Sequence, residues 1–596
     1  MSILQKRLVS SPKWSLSERL RSWVLAFTFP IAFILGTYGY SHYPFGMETV
    51  SITNAMYHSV QLFLLHAPHF ISPVPWSLEI ARWLAAASTM LVLLNAALHL
   101  LYNERMARSL KRKKNHTIVC GLGRRGMAVI EKLYSSGLNI VAIDKSPEQD
   151  IQERLQHLGI PLIIGDASRN EILVEARVDH ASKIYAFCSE DTLNFSIALE
   201  ANKIKSKTGI PCKCIIHIND AELRNALQLN YQRNSNHTDQ NLHFIDGYAH
   251  EAISLLAYKL PLDHDGISPT DKRQVHLIIL GFGCMGRTIA VKAAQLGQFA
   301  NRKKLRISVI DRKAEINQAS LLFHHPYICD VADFSFNKQE IFSSETRAQI
   351  EKWCSEPDSA ISVVLCMDNP SVIYDALLNL SPCFDRKNVR VAIRVNESEN
   401  FGLLLQDAIK KTHQNLNLHL FGSEKGFENL IDPDKNEIEK FAIDIHNAYV
   451  NLVKEELKNN PDKLDERNKK GELYEWDKLK EDFRESNQQQ AFHIYFKLRT
   501  CGYEVVDIED TRVAIEEFDK EKLEALAIME HDRWLAERKV NNWKYGVHSD
   551  KDNRISSNLV EWDQLTDGIK LFDYDAVKRI PQLLGSIGKK MVKKST

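Results

Sequence analysis

Two short glycine motifs carry the clearest chemical signal in this 596-residue sequence. In the first motif, Gly121, Gly123 and Gly126 follow a short apolar run, an amphipathic segment comes next, and Asp144 ends a second apolar run. In a βαβ unit with this spacing, the first glycine makes a tight turn, the second lets backbone approach a pyrophosphate, and the third permits close helix packing. A carboxylate at the position of Asp144 can accept ribose hydroxyls, so the pattern predicts a nucleotide site.

Basic residues lie at the phosphate end of this predicted site. Arg124 and Arg125 stand where the helix begins, and a helix N-terminus already favours anions. The acidic Asp144 favours NAD or another adenine nucleotide over a ligand with a 2′-phosphate. Lys145 and Asp166 are further candidate contacts. No Tyr-x-x-x-Lys pair and no metal constellation lies beside the motif, so we expect a non-catalytic ligand, no catalytic residue and no metal; glycines kept for packing alone are the alternative.

The unit recurs about 160 residues later, as a domain duplication would produce. Gly281, Gly283 and Gly286 repeat the loop, and Asp311 repeats the acidic strand end. Alternating strand and helix patterns predict an α/β fold with two tandem Rossmann-like, doubly wound domains, here called the first copy (115–262) and the second copy (273–430). Matching Asp166 of PLIIGDA to Asp330 of PYICDVA places Cys329 opposite Gly165 of the first copy. Ligand binding by the second copy is therefore in question, and assembly is its alternative role.

An α-helical membrane segment is predicted upstream, at 22–104. Uncharged runs predict spans at about 22–41 and 82–102, and a shorter apolar run at about 52–66 predicts a re-entrant helix. Lys and Arg are concentrated in the basic tail, 1–21, and just after the second span, so both termini are expected in the cytoplasm. This layout is that of a minimal cation pore, but the sequence HAPHFISPVP at 66–75 contains no glycine of a TVGYG-type filter. GTYGY at 36–40 ends the first span and is read as a coincidence.

The C-terminal part of the chain has its own pattern. A charged helical linker is predicted at 431–475, followed by a mainly helical domain at 476–596. Within that domain, an amphipathic helix is predicted to end near Tyr545, with apolar residues on one face and Glu, Lys and Arg opposite. Aromatic faces beside Arg and Asn suit a stacked base and a phosphate. The candidate ligand contacts are Arg484, Asn487, His531, Trp534, Arg538, Trp543 and Tyr545.

Two family resemblances accompany these motifs. GLGRRG, Asp144, Gly165-Asp166-Ala167 and SEDTLN resemble the regulator-of-potassium-conductance N-terminal domain, also called the Trk-type NAD-binding domain. This resemblance implies adenine nucleotides as regulators and assembly through paired domains. The final stretch resembles the ryanodine-receptor repeat domain, which implies a sensor of small nucleotide-derived ligands. The matching positions of that signature are His531, Trp534, Trp543, Tyr545, Gly546, Leu559, Trp562, Asp563 and Leu565.

Composition narrows the functional classes. The chain is 44% hydrophobic and 26% charged, with 76 basic and 76 acidic residues, so a chain-wide nucleic-acid-binding surface is not expected. We predict a non-enzymatic, membrane-anchored, nucleotide-sensing effector, ion-channel-like and gated by its cytosolic domains, with a prokaryotic stress or defence response as one hypothesis for its setting. Expected partners are the lipid bilayer, further copies in a dimer or tetramer, and a nucleotide-derived ligand. The inner or plasma membrane is the expected location, with a multi-pass topology. The alternatives are an accessory nucleotide-binding subunit of a potassium transport system and an NAD-dependent oxidoreductase.

Overall fold

The computed structural model consists of two compact units whose boundary passes through the first strand. One unit contains 1–118, 139–182 and 204–210; the other contains 119–138, 183–203 and 211–596. Parts of the predicted basic tail, of the loop after the re-entrant helix and of the linker lie outside the described residues. The structure describes residues 13–42, 50–66, 73–206, 212–220, 223–224, 226–227, 242–367, 369–395, 399–422, 437–458, 471–476, 479, 481–550 and 553–594.

Three helices form the N-terminal segment: α1 (Lys13–His42), α2 (Ile52–Phe63) and α3 (Trp76–Arg112). They pack closely because glycines of GTYGY lie inside α1. A Cβ on Gly36 would lie 2.9 Å from the Ser59 hydroxyl oxygen of α2, and one on Gly39 would lie 2.9 Å from Cβ of Leu78 in α3. The two glycines of the filter-like segment GTYGY therefore allow close helix packing in this structure.

One described stretch, Trp76–Leu94 in α3, is long and apolar enough to cross a membrane. Only 28% of that window is buried among the residues that the structure describes. The first predicted span, 22–41, lies within α1, and the predicted two-span arrangement is not confirmed.

The first copy forms a six-stranded sheet with alternating helices. Its elements are β1 (His116–Cys120), α4 (Arg124–Ser135), β2 (Ile140–Asp144), α5 (Gln149–Leu158), β3 (Leu162–Ile164), α6 (Asn170–Glu175), β4 (Ala181–Ala186), α7 (Asp191–Ser206), β5 (Lys213–His217), β6 (Leu242–Ile245) and α8 (Gly247–Ser254). The strand order is β3-β2-β1-β4-β5-β6. This order defines a Rossmann-like sheet and confirms the predicted fold class.

The second copy repeats this architecture with longer strands. Its elements are β7 (Gln274–Leu280), α9 (Cys284–Leu296), β8 (Leu305–Asp311), α10 (Ala314–His324), β9 (Ala332–Lys338), α11 (Ser344–Cys354), β10 (Ser359–Leu365), α12 (Pro370–Phe384), β11 (Val389–Arg394), α13 (Glu399–Thr412) and β12 (Asn417–Phe421). The order β12-β11-β10-β7-β8-β9 is equivalent to that of the first sheet, written from the other edge.

Strand register corrects one alignment between the copies. Asp144 pairs with Ile164, whereas Asp311 pairs with Lys338, so β9 is the counterpart of β3. The segment PYICDVA lies before β9, where residues 328–330 form a 3₁₀ turn. Aligning it with PLIIGDA was therefore wrong, and Cys329 does not replace Gly165. Similar apolar residues form strand β3 in the first copy and a 3₁₀ turn in the second copy.

The C-terminal region is mainly helical. It contains α14 (Glu437–Glu456), α15 (Glu481–Thr500), β13 (Tyr503–Asp507), α16 (Lys520–Val540), β14 (Lys544–Tyr545), β15 (Ile555–Ser556), α17 (Asp567–Lys578), α18 (Ile580–Ser586) and β16 (Lys589–Lys593). A single hydrophobic cluster joins this region to the second copy: Phe441, Phe496 and Met529 pack with Leu277 and Ile289. The described part of the predicted linker thus contributes α14 to a common core.

Candidate functional site

The glycine loop of the first copy has the geometry that the motif predicts. Gly121 has a φ of +85°, and a Cβ there would lie 2.7 Å from the Cys188 backbone nitrogen. A Cβ on Gly126 would lie 1.9 Å from the Gly121 carbonyl oxygen, which enforces close packing of α4. Gly123 has no heavy atom within 4 Å of its Cβ position, so space remains beside the loop. The open side of Gly123 is where a pyrophosphate could approach the backbone.

The two arginines after Gly123 lie against α8. The Arg125 guanidinium lies over the Tyr248 ring, 3.9 Å from its centroid. An Arg124 nitrogen lies 3.7 Å from a carboxylate oxygen of Glu251, one turn further along α8. Arg124 and Arg125, the two predicted phosphate contacts, therefore both contact side chains of α8.

The acidic part of the predicted site lies at the carboxyl ends of β2 and β3. The Asp144 carboxylate accepts a hydrogen bond from the Ser146 amide at 2.8 Å, and the Asp144 carbonyl accepts one from the Gly165 amide at 2.8 Å. The hydroxyl and amide of Ser168 both donate to Asp166 and hold the pKa of that carboxyl below its usual value. The positive charge of Lys145 lowers the same pKa further. These three predicted residues therefore form one charged rim.

The second copy repeats this loop geometry. Gly281 has a φ of +92°, and a Cβ on Gly286 would lie 2.3 Å from the Gly281 carbonyl oxygen. The Phe282 amide, next to Gly283 in the loop, donates to Asp311 at 2.8 Å. Asp311 also accepts bonds from the Lys313 amide at 2.7 Å and the Asn317 side chain at 3.1 Å. A ribose would have to compete with three existing donors at this carboxylate.

Four predicted contacts of the C-terminal region lie together around α16. We call His531, Trp534, Arg538 and Trp543 the aromatic cluster. The Arg538 guanidinium lies 5.6 Å from the Trp534 ring centroid and 4.6 Å from that of Trp543. Arg538 is 7% exposed, and its buried Nε has no hydrogen-bond partner in the part of the chain that the structure describes. His531 stacks on Trp534 and lies 2.8 Å, through Nε2, from the Val560 carbonyl. The cluster thus offers aromatic surface and a buried cation.

The other three predicted contacts have different surroundings. Arg484 donates to the Trp476 carbonyl at 3.0 Å and lies over the Trp476 ring. Asn487 donates to the Phe483 carbonyl within the same helix at 2.7 Å. Tyr545 lies in β14 with 60% of its surface exposed. Arg484 and Asn487 are on α15, whereas the aromatic cluster is built on α16 and the residues that follow it.

A buried charge network between α15 and α16 was not predicted from the sequence. It consists of Lys497, Glu530, Arg533 and Glu537, each at most 3% exposed. Lys497 contacts Glu530 at 2.6 Å, and Arg533 contacts Glu530 at 2.9 Å and Glu537 at 3.1 Å. The expectation that the charged residues of this helix face solvent is therefore wrong. The i, i+3, i+7 spacing of Glu530, Arg533 and Glu537 is the sequence signal that could have indicated a paired stripe.

Comparisons with known families agree with this architecture. Residues 117–231 match the TrkA-N domain family model, and residues 506–593 match the RyR domain family model. The chain therefore carries a TrkA-N domain within its first copy and a RyR domain in its C-terminal region, which confirms both predicted resemblances.

Curated proteins named as potassium channels are similar to part of this chain. Potassium channel protein 1 of Methanocaldococcus jannaschii is 32% identical over 110 residues, which cover 18% of this chain and 33% of that protein. Voltage-gated potassium channel Kch of Escherichia coli is 29% identical over 119 residues, covering 20% of this chain and 28% of that protein. This chain thus spans about a third of the length of the curated relatives that it matches. Among solved structures, GsuK bound to ADP is 14% identical, with a TM-score of 0.38, over 70% of this chain and 97% of its own.

Proposed function

We propose that this protein is a membrane-anchored, nucleotide-sensing effector of the channel type, without enzymatic turnover. An adenine nucleotide at the TrkA-N domain and a nucleotide-derived ligand at the RyR domain would control an ion pathway through the N-terminal helices. The apolar stretch in α3 and the resemblance of the TrkA-N region to proteins named as potassium channels support this function. We further propose a homo-oligomer in the inner or plasma membrane, multi-pass and with both termini in the cytoplasm.

For the first copy, NAD or another adenine nucleotide is the proposed ligand. The phosphates would approach the open side of Gly123 and the N-terminus of α4, where the partial positive charge of the helix end and the Arg124 side chain favour anions. The ribose would be bound by Asp144 at the end of β2. In parallel sheets of this kind, ligands bind outside the carboxyl ends of the strands. The loop of Gly123 follows the carboxyl end of β1, and Asp144 is the last residue of β2.

The observation that carries the control function is the core shared by the RyR domain and the second copy. Helix α16, which carries the aromatic cluster, packs directly on α9, the helix that follows the second glycine loop. Lys292 of α9 also pairs with Glu485 of α15. Burial alone would raise the pKa of Glu485, but Lys292 and Arg224 hold it at about 2. A ligand that displaces α16 would therefore also displace the second copy.

Potassium flux into liposomes containing the full-length protein tests this function. We expect flux to change on addition of ADP or NAD, and Asp144→Ala to abolish that change while membrane insertion is kept. Arg538→Gln should leave the ADP and NAD response in place but remove any response to a further nucleotide from a screened panel. Arg579→Gln, a surface change in the RyR domain, is the control. Flux that ignores every nucleotide, or NAD turnover by the purified protein, would contradict the proposal.

Point variants are preferable to deleting 476–596. The deletion would remove Phe496, Met529 and their neighbours from the core that the second copy uses, so the remainder would expose a large apolar surface. Loss of response in such a truncation could come from unfolding alone.

A second candidate, an accessory subunit of a potassium transport system, is favoured by the sequence after α2. Residues 66–75 contain no glycine that could form a TVGYG-type filter. This candidate predicts that the purified protein conducts no ions by itself and co-purifies with a separate transport protein whose flux responds to nucleotide.

A further inference from the structure

The two Rossmann-like copies meet at the side chain of Tyr248, in α8. Arg125, from the first glycine loop, lies 3.9 Å from the ring centroid of Tyr248, and Arg394, from the end of β11 in the second copy, lies 5.6 Å from it. Arg124 lies beside Glu251, three residues after Tyr248 on the same helix. We call Arg124, Arg125 and Arg394, gathered around Tyr248, the arginine junction. All of these residues belong to one compact unit.

Arg394 is the unusual member of the junction. It is only 7% exposed, and its buried Nε has no hydrogen-bond partner among the described residues. Within the same set of residues, its guanidinium forms no ion pair. A buried guanidinium nitrogen without a hydrogen-bond partner, in a group that lies next to other cations, costs free energy, and a bound anion would offset that cost. Burial lowers the pKa of Arg124, Glu251 opposes this lowering, and the charges of Arg394 and Arg125 add to it.

Two further polar atoms at the junction lack a partner in the described part of the chain. One is Glu251 Oε1, and the other is Nε2 of His217, which is 2% exposed and whose ring lies 6.3 Å from that of Tyr248. Strand register makes His217 of β5 the counterpart of Arg394 of β11. The pKa of His217 is lowered to about 3 by burial and then by Arg125, so His217 is neutral near pH 7.

Gly422 lies close against these groups. It follows β12 with a φ of +82°, and a Cβ there would lie 2.7 Å from Glu251 Oε1 and 3.0 Å from Cγ of Arg394. Any larger residue would both strain the backbone and fill the junction.

We propose that the arginine junction binds a phosphate-class dianion between the two copies, with Arg394 as the contact supplied by the second copy. Planar guanidinium groups match phosphate oxygens in bidentate geometry. The dianion is the terminal phosphate of a nucleotide held by the first copy, in which case the inference rests on the proposed function, or it is free inorganic phosphate. An anion that contacts both copies stabilises the arrangement in which they approach, so its binding is coupled to their relative position.

Isothermal titration of the full-length protein with adenosine, AMP, ADP and inorganic phosphate tests the junction. Arg394→Gln is compared with Arg390→Gln, a matched change on the same face of β11 where Arg390 pairs with Asp265 at 3.2 Å. We expect Arg394→Gln to weaken the phosphate-bearing probe by about 10-fold or more, the effect of losing a charged hydrogen-bond partner. Adenosine binding should change by less than about 2-fold, and Arg390→Gln should match the wild type.

The pattern of losses identifies the source of the dianion. Loss of inorganic phosphate binding in Arg394→Gln supports a free anion, and loss confined to AMP or ADP supports the nucleotide's own phosphate. Unchanged affinity of Arg394→Gln for every phosphate-bearing probe overturns the inference, while nucleotide binding by the first copy would still stand. Phosphate binding that depends on Arg394 in a protein that binds no adenosine-containing probe would leave the junction standing and remove the nucleotide part of the proposed function.

Thermal unfolding separates binding from folding. Removing an unpaired buried cation should leave the ligand-free unfolding temperature of Arg394→Gln equal to or above that of the wild type, and phosphate should no longer raise it. Arg394→Lys keeps the charge and should retain part of the phosphate effect. If Gln and Lys both lower the ligand-free unfolding temperature and lose phosphate binding equally, the role of Arg394 is structural and the inference is overturned.

Discussion

The first and second copies have the same fold but pack against different parts of the chain. Both have the same strand order and the same loop geometry, with Gly121 and Gly281 at positive φ. The second copy, however, contributes β7, β8 and α9 to the hydrophobic cluster shared with the RyR domain, whereas the first copy contributes to that cluster through α8 and the residues just after it. A duplicated Rossmann fold can therefore keep its turn chemistry, which the backbone requires, while one copy becomes the base of another domain.

The charged residues that follow the strands of the two sheets do not distinguish the first copy from the second. By register, Lys145 and Asp166 of the first copy correspond to Arg312 and Glu340 of the second. Arg312 and Glu340 form an exposed ion pair at 2.8 Å, and Lys145 lowers the pKa of Asp166. A cation and a carboxylate thus persist at both rims. Ligand preference must depend on the glycine loops and the ribose-binding acids, which the following predictions address.

The largest expected effect concerns the buried charge network that joins α16 of the RyR domain to α15. Glu530→Ala would leave Lys497 and Arg533 buried without their shared carboxylate, which costs about 3 to 5 kcal/mol of unfolding free energy. Chemical denaturation of the full-length protein measures this cost. Glu340→Ala, which removes a surface pair, should cost no more than about 1 kcal/mol. Equal losses in the two variants would show that the network does not hold the domain.

Substituting the acidic residue at the end of the second strand in each copy tests which copy binds the nucleotide. Asp144→Ala should weaken ADP or NAD binding by roughly 1 to 3 kcal/mol, the range for loss of a charged hydrogen-bond partner. Asp311→Ala should have a smaller effect on binding, because α9, the helix that follows the second glycine loop, is packed in the core shared with the RyR domain. Calorimetry would decide, and the reverse order would make the second copy the ligand-binding one.

The middle glycines allow a similar test that leaves the fold intact. Gly123 and Gly283 both have negative φ, near −64° and −70°, so alanine is compatible with the backbone at either position. We expect Gly123→Ala to weaken ADP or NAD about 10-fold, roughly 1.4 kcal/mol, because its Cβ would occupy the approach of the pyrophosphate. Gly283→Ala should not change the affinity. Equal affinity in Gly123→Ala and the wild type would contradict binding at the first loop.

The smallest expected effect is a pH dependence beside the buried charge network. Burial and then Glu530 raise the pKa of Asp573 well above its usual value. The folded protein therefore holds this proton more tightly than the unfolded chain, so stability is greatest below the unfolded pKa of about 3.9 and falls as pH rises through the folded pKa. Asp573→Asn should add roughly 1 to 2 kcal/mol at pH 8 and nothing at pH 4. A gain of equal size at both pH values would contradict this assignment.

Local patterns were sufficient for the two Rossmann-like copies and for the existence of α16. The positions of Gly121 and Gly126 indicate a turn and a close helix approach because no other side chain fits them, and the structure shows both. Local sequence patterns predicted the wrong equivalence where similar apolar residues adopt two conformations. The segment PYICDVA, for example, forms a turn before β9 and not the counterpart of β3. Local patterns also failed on α16, where Glu530 and Arg533 look like surface residues until a second helix supplies Lys497.

The sequence by itself determined the duplicated α/β plan, the nucleotide-type loops, the apolar N-terminal segment and the RyR resemblance, because each depends on residues within a few turns of one another. Only the tertiary structure decided that the RyR domain and the second copy share one core, that α16 buries its charges, and that Arg125 and Arg394 meet at Tyr248. These features join residues that are tens to hundreds of positions apart in the sequence. Burial and ion pairing depend on which elements pack together, and no local periodicity encodes that choice.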